Sequence, residues 1–458
     1  MGEVTRQVAR YVLDSRWSAL PQAVRHEAAR AFLNWLGCAL RGSRHPAVEA
    51  ALAAVREIAG PPQATVLGRE LRLDMAHAAL LNGLSASAYA FDDTHLETIA
   101  HPTAPAAAAL LALCENRQVS GAEFLHALVL ANEIQCRLSN ALAAPPAKCH
   151  VGLYMTGLTG SVGVAAAAGK LLGLDEQRLV WALGIGATQG AGLRATHASM
   201  CSGYVPAHAG RNGLLAGLLA AKGFTSTDYM LEGRNGFADV FGAPANVAAL
   251  TDGLGDHYEC MAVAAKPYPA GCFIHPSIEA CLDLVKSSGM RPEQIERIEL
   301  RVHPLALGLT GRTEPQHAYD AQVSVYHWAA AVFMHGAAGL EQASDECVRD
   351  PGVTALRRRV KASVDERLGR DEAKAELTLK DGRTLSSHVA HCLGSAERPM
   401  SDAELERKFL DQAEQVMPGA RARQLAERCW QIASANDVSR AAPGVWGATA
   451  GSLEGLPA

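Results

Sequence analysis

A mostly α fold, in which one large all-helical domain carries an inserted smaller α+β domain, is what this sequence predicts. Three observations carry the prediction. Apolar positions recur at helical spacing from the start to about residue 265 and again from about residue 400. Two-residue alternation is confined to the stretch between them. Small side chains are abundant and aromatic ones make up only 5% of the chain, which suits helices packed at short separation. At 458 residues the chain exceeds what one core usually serves, so more than one domain is expected.

In chain order, Val8, Tyr11, Val12 and Trp17 form an apolar stripe, and residues 75–90 and 104–113 read as helices. Ser120 and Glu123 have the spacing of a capping box ahead of the apolar run from Phe124 to Leu130. Residues 156–172 mix Gly, Ala and Ser at helical spacing, as a buried central helix would. Residues 1–266 are thus the first part of the helical domain. The texture then changes. Ile298, Leu300 and Val302 alternate with charged residues, Val360, Ala362 and Val364 alternate again, and Ala375, Leu377 and Leu379 run into the turn Asp381-Gly382 and a return strand through Leu385 and Val389. With helices at 276–288 and 320–335, residues 267–398 form the α+β domain. Residues 399–435 are helices returning to the first domain, and 436–458, rich in Gly, Ala and Pro without a period, read as an irregular tail.

Composition narrows the function. The net charge is −5 with no basic block, which argues against a nucleic-acid partner. No run approaches the roughly 18 apolar residues of a spanning helix, so no membrane partner is expected. The eleven cysteines show no CxxC pair, and the first residues show no apolar signal core, so a reducing, cytoplasmic setting is expected.

Three segments gather polar residues in apolar surroundings. Asp92-Asp93-Thr94-His95 is followed by His101-Pro102-Thr103, close to the start of a helix whose N–H groups favour anions. Asp and His also suit a metal, but no tight two-histidine spacing is present, and Thr and Asp commonly do no more than cap helices. Lys266 follows an apolar stretch and opens Lys266-Pro267-Tyr268-Pro269, which leads to His275-Pro276. A lysine so placed needs an anion, either substrate or an internal carboxylate. His275 serves equally well as a plain helix start. Ser324-Val325-Tyr326-His327-Trp328 opens an apolar helix, where a histidine is ordinarily a satisfied core residue, and Arg312 offers a carboxylate fork.

Taken together, FDDTHLETIAHPTAP, GFTS, KPYPAGCFIHPSIEAC, TGRTEP and DAQVSVYHWAA resemble, in wording and order, the MmgE/PrpD family, over nearly the whole chain to about residue 430. The resemblance implies a large helical domain, a smaller α+β lid, a cleft between them, a homodimer, and chemistry on small polycarboxylates without metal or organic cofactor. It places the family's motif residues on Thr94, His101, Lys266, His275, Tyr326 and His327. Three departures stand out: Ala90 where relatives have an acidic residue, Ser202-Gly203-Tyr204-Val205-Pro206 where they have a lysine and a histidine, and Tyr154 where they have a histidine.

The leading expectation is therefore a lyase or isomerase (dehydratase, decarboxylase or epimerase) that moves a proton α to a carboxylate. His101 is the base and Lys266 holds the carboxylate, with Arg312 or Arg211 assisting. Tyr326, Tyr154 or His327 complete the proton inventory, and Asp93, Thr94 and His275 face the substrate, a small anion. Two other readings stay open: a relative whose pocket is rebuilt for a different, biosynthetic substrate, and a non-catalytic binder of small acids.

Overall fold

The computed structural model describes residues 3–439. With 56% helix and 10% strand, the molecule is mostly α.

The helical part is organised around helix Met155–Leu171, buried over nearly its whole length between helices Gly121–Ala143 and Cys201–Ala221. The glycines explain how the backbones come so close. A Cβ at Gly163 would lie 2.4 Å from the Ala131 carbonyl oxygen, and one at Gly213 would lie 2.5 Å from Val164. Helix Thr103–Cys114 is buried at every residue. Helix Gly121–Ala143 begins with the expected capping box of Ser120 and Glu123.

Two features differ from the helix-after-helix reading. Ala64–Val66 and Leu71–Leu73 form a small antiparallel hairpin about Gly68, whose φ is +67°. Between helix Cys201–Ala221 and residue 262 the chain makes turns and short helices only, of which Phe237–Phe241 is the α-helical one. Glycines at 223, 233, 236, 242, 253 and 255 interrupt any longer helix there.

A second core begins near Ala270. Its sheet runs Val360–Val364, Ile295–Val302, Ala373–Leu379, Thr384–Val389, the first pair parallel and the others antiparallel. Gly382, with φ +88°, makes the turn between the last two strands. The buried face (Ile298, Leu300, Leu377) packs with Ile278 and Leu284 of helix His275–Ser288 and with Trp328 and Val332 of helix Val325–His335. That last helix starts later than expected, because residues 318–321 form a separate short turn of helix.

Helices Asp402–Ala413 and Gly419–Gln431 return to the first part. Leu405, Phe409 and Leu425 share one core with Phe32 and Leu36 of helix Gln22–Gly42. From residue 440 the expected irregular tail lies outside the described residues. No helix among the described residues is long and apolar enough to cross a membrane.

Candidate active site

Helix Met75–Ser87 ends in a sharp turn at Ala90, whose φ is +51°. The chain then pairs Thr94 and His95 antiparallel with Ala264 and Val263, which brings the Asp/Thr/His segment beside Lys266. Lys266 is buried. Its Nζ donates to the Ala90 carbonyl at 3.0 Å and lies 3.5 Å from Asp92 Oδ1. A second buried lysine, Lys408, donates to the next carbonyl, that of Phe91, at 2.8 Å and to Asn34 Oδ1 at 2.7 Å. Burial holds the Lys408 ammonium down at about 8. Two ammonium groups thus fix successive carbonyls of one strained turn.

His101 is held by one nitrogen. Its Nδ1 lies 2.8 Å from the Asp93 carbonyl oxygen, an acceptor only, so Nδ1 carries the proton and Nε2 is left with its lone pair. Thr94 Oγ1, 3.1 Å from the same Nδ1, flanks that bond. Burial, helped by the Lys266 charge, lowers the His101 pKa to about 4, so the ring is neutral near pH 7. Asp93 lies behind it. Its Oδ1 accepts weakly from the Thr103 N–H at 3.4 Å, its buried Oδ2 has no partner among the described residues, and burial raises its pKa to about 7.

These groups border a cleft of about 80 Å³. Its polar wall includes Asp92, His101, Tyr154, Arg194, His197, Ser202 and Lys266; Ile99, Phe273, Leu309 and Val323 are on the apolar side, so both parts of the chain contribute. Tyr154 precedes helix Met155–Leu171 and its hydroxyl bonds the Ser202 side chain; burial pushes its pKa well up. Arg194 donates from Nε to the Leu153 carbonyl at 3.1 Å, and its other N–H groups have no protein partner among the described residues. Burial lowers its pKa, the mark of a cation short of counter-charge.

Backbone strain gathers here as well. Four non-glycine residues among those described have positive φ, and three of them (Ala90, Ile99 and Ala198) line this cleft. Each such conformation costs on the order of 1–3 kcal/mol, which the surrounding structure must offset, and such strain clusters at functional sites.

Of the residues singled out from sequence, His101, Lys266 and Tyr154 border the cleft, while Asp93 and Thr94 stand directly behind His101. The others lie elsewhere. His275 is buried against the Ala270 carbonyl and borders a neighbouring pocket. His327 donates from Nε2 to the Gln342 carbonyl at 2.7 Å inside the second core. Tyr326 faces grooves on the outside of the sheet. Arg312 is committed to Asp320 at 2.5 Å, and among the described residues the Arg211 side chain bonds only Asn212, at 3.4 Å. Among the departures, Ala90, Tyr154 and Ser202 border the cleft, whereas Val205 is buried against the Gly157 and Gly192 backbone.

Sequence reasoning missed Arg194, His197 and Lys408. Lys408 had a readable signal: with Leu405, Phe409 and Gln412 it lies on the buried stripe of its helix, where a lysine is out of place. Arg194 and His197 sit in an irregular loop with no period to mark them. No group of three or more His, Cys, Asp or Glu side chains among the described residues is placed to hold a metal ion.

Residues 6–249 match the MmgE/PrpD N-terminal domain, and residues 268–432 match the MmgE/PrpD C-terminal domain. The chain belongs to the MmgE/PrpD family. Its relatives include cis-aconitate decarboxylase of Aspergillus terreus, 26% identical over 95% of this chain and 94% of that protein. The cis-aconitate decarboxylase of Mus musculus is 28% identical over 77% of this chain and 75% of its own length. A mitochondrial 2-methylcitrate dehydratase of Yarrowia lipolytica is 24% identical over 86% and 81%. With a decarboxylase and a dehydratase among its relatives, this MmgE/PrpD protein is an enzyme of the lyase or isomerase type.

Proposed function

We propose that this MmgE/PrpD protein acts on a small polycarboxylate by proton transfer α to a carboxylate, without a bound cofactor. One observation carries the reading: a neutral imidazole with a free Nε2, on His101, borders the same cleft as two cations, Lys266 and Arg194. The His101 lone pair takes the α-proton, and the C–H electron pair moves toward a carboxylate held by the two cations. Lys266 keeps Asp92 as a partner, so Arg194 supplies the less compensated charge. The α+β part acts as a lid, supported by its contribution of Phe273, Leu309 and Val323 to the cleft and by Pro267 and Pro269, which stiffen its connection.

A second reading is favoured by the neutral groups at Ala90, Tyr154 and Ser202. The resemblance to the family implies charged or imidazole side chains at those places, and on this reading the pocket is rebuilt for a different substrate. On this account 2-methylcitrate and cis-aconitate are poor substrates, because a missing buried polar partner costs about 1–3 kcal/mol. The test is turnover by protein dialysed against EDTA, followed by NMR over a panel of citrate-, aconitate- and iminodisuccinate-like acids. Full activity is expected after chelation. Activity that is lost and then restored by zinc or iron would contradict the cofactor-free reading.

A further inference from the structure

We infer that His197 is a second proton-transfer residue of the cleft, the acid that complements His101 as base. The inference rests on the reading proposed above. His197 and His101 both stand edge-on to Tyr154, with ring centroids 5.0 Å and 6.0 Å from the phenol and each ring turned 88° to it. Both border the same cleft.

The ring of His197 differs from the buried imidazoles elsewhere in the chain. His95 bonds Thr98, His126 bonds Ser15, His275 bonds the Ala270 carbonyl and His327 bonds the Gln342 carbonyl. Each of those rings is tied to the protein by at least one hydrogen bond. The His197 ring has no hydrogen-bond partner among the described residues, while its backbone N–H donates to the Arg194 carbonyl at 2.9 Å. One short turn, Arg194–Thr196, therefore delivers both the guanidinium and the imidazole to the cleft, and the next residue, Ala198, is held at φ +65°. The half-buried ring borders the cleft and makes no hydrogen bond to the described protein, so its nitrogens are open to a ligand there.

The proton inventory follows. Burial, with Arg194 and Lys266 nearby, holds His197 at about 4, and His101 is equally low, so both rings are neutral in the empty cleft at pH 7. Asp92, the protonated Tyr154 and the Cys272 thiol, raised by burial, are the other titratable groups that line the cleft. A polycarboxylate brings negative charge beside His197 and draws a proton onto it from solvent. In a dehydration His101 takes the α-proton, the C–H pair forms the new double bond as the C–O bond breaks, and protonated His197 gives its proton to the departing hydroxyl, so water is released. In a decarboxylation no α-proton is removed: the C–C pair left as carbon dioxide departs takes the His197 proton at carbon.

The test uses propane-1,2,3-tricarboxylate, an unreactive probe, titrated calorimetrically at pH 7 in two buffers of different ionisation enthalpy. The wild-type protein should take up about one proton per probe bound. His197→Gln should abolish that uptake and weaken binding about tenfold, the linked cost of losing the proton, and His101→Gln should retain the uptake, since His101, the base, stays neutral in the complex. Uptake unchanged in His197→Gln would overturn the inference. Absence of probe binding by the wild-type protein would instead sink the polycarboxylate reading beneath it. Should His197→Gln fail to fold, the His197 Cε1–H signal of intact protein settles the matter. Its midpoint should rise above neutrality with probe bound, and a midpoint that stays put would overturn the assignment.

Discussion

At Lys266 two duties meet in one side chain. Its ammonium holds the Ala90 carbonyl at 3.0 Å and faces Asp92, yet it also borders the cleft. Lys266→Ala should weaken binding of a polycarboxylate by about 1.5–3 kcal/mol, the worth of a charged hydrogen bond, in a calorimetric titration of folded protein. Unchanged affinity would mean that the lysine serves only the turn. The sequence exposed this residue because a lysine after Met-Ala-Val-Ala-Ala is anomalous by composition alone. Arg194 and His197 carried no such contrast, since nothing around them is periodic. Tyr326 and His327 show the reverse: their motif was legible, but the chain turns them into the second core and its outer surface.

Among the elements, the strands were readable from two-residue alternation because one face of the sheet is buried and the other is wet. The parallel pairing of Val360–Val364 with Ile295–Val302 was not, because it depends on contacts some sixty residues apart, which no local pattern encodes. The small hairpin at Ala64–Leu73 was too short for a period to show. The Gly- and Ala-rich helix was read as close packing, and its crossings explain the glycines. Gly163→Ala should destabilise the protein by about 1–3 kcal/mol, because the methyl group would meet the Ala131 carbonyl oxygen. Gly308→Ala, with open space around its Cβ and an ordinary helical φ, is the control and should be neutral or slightly stabilising in urea unfolding. Equal midpoints for the two variants would contradict the packing account.

Across the whole molecule, several histidines are kept neutral. Burial lowers His95, His101, His197 and His327 to about 4 and His275 to about 3. In the unfolded chain the same groups take protons near their ordinary value of about 6.5. Between those values the unfolded state binds more protons, so stability is full above about pH 6.5 and falls as pH drops toward 4. The urea midpoint should decline steadily from pH 7 to pH 5; a flat profile would mean that these rings are charged in the folded protein. The central claim, that the cleft moves a proton α to a carboxylate with His101 as base, is tested most directly by hydrogen exchange. Wild-type protein and His101→Gln would be incubated in D₂O with citrate-, aconitate- and iminodisuccinate-like acids and followed by NMR. The wild type should place deuterium at an α-carbon of at least one acid, or release a product, and His101→Gln should do so roughly 10²–10⁴-fold more slowly. Equal rates for the two proteins, or no exchange with any acid, would contradict it.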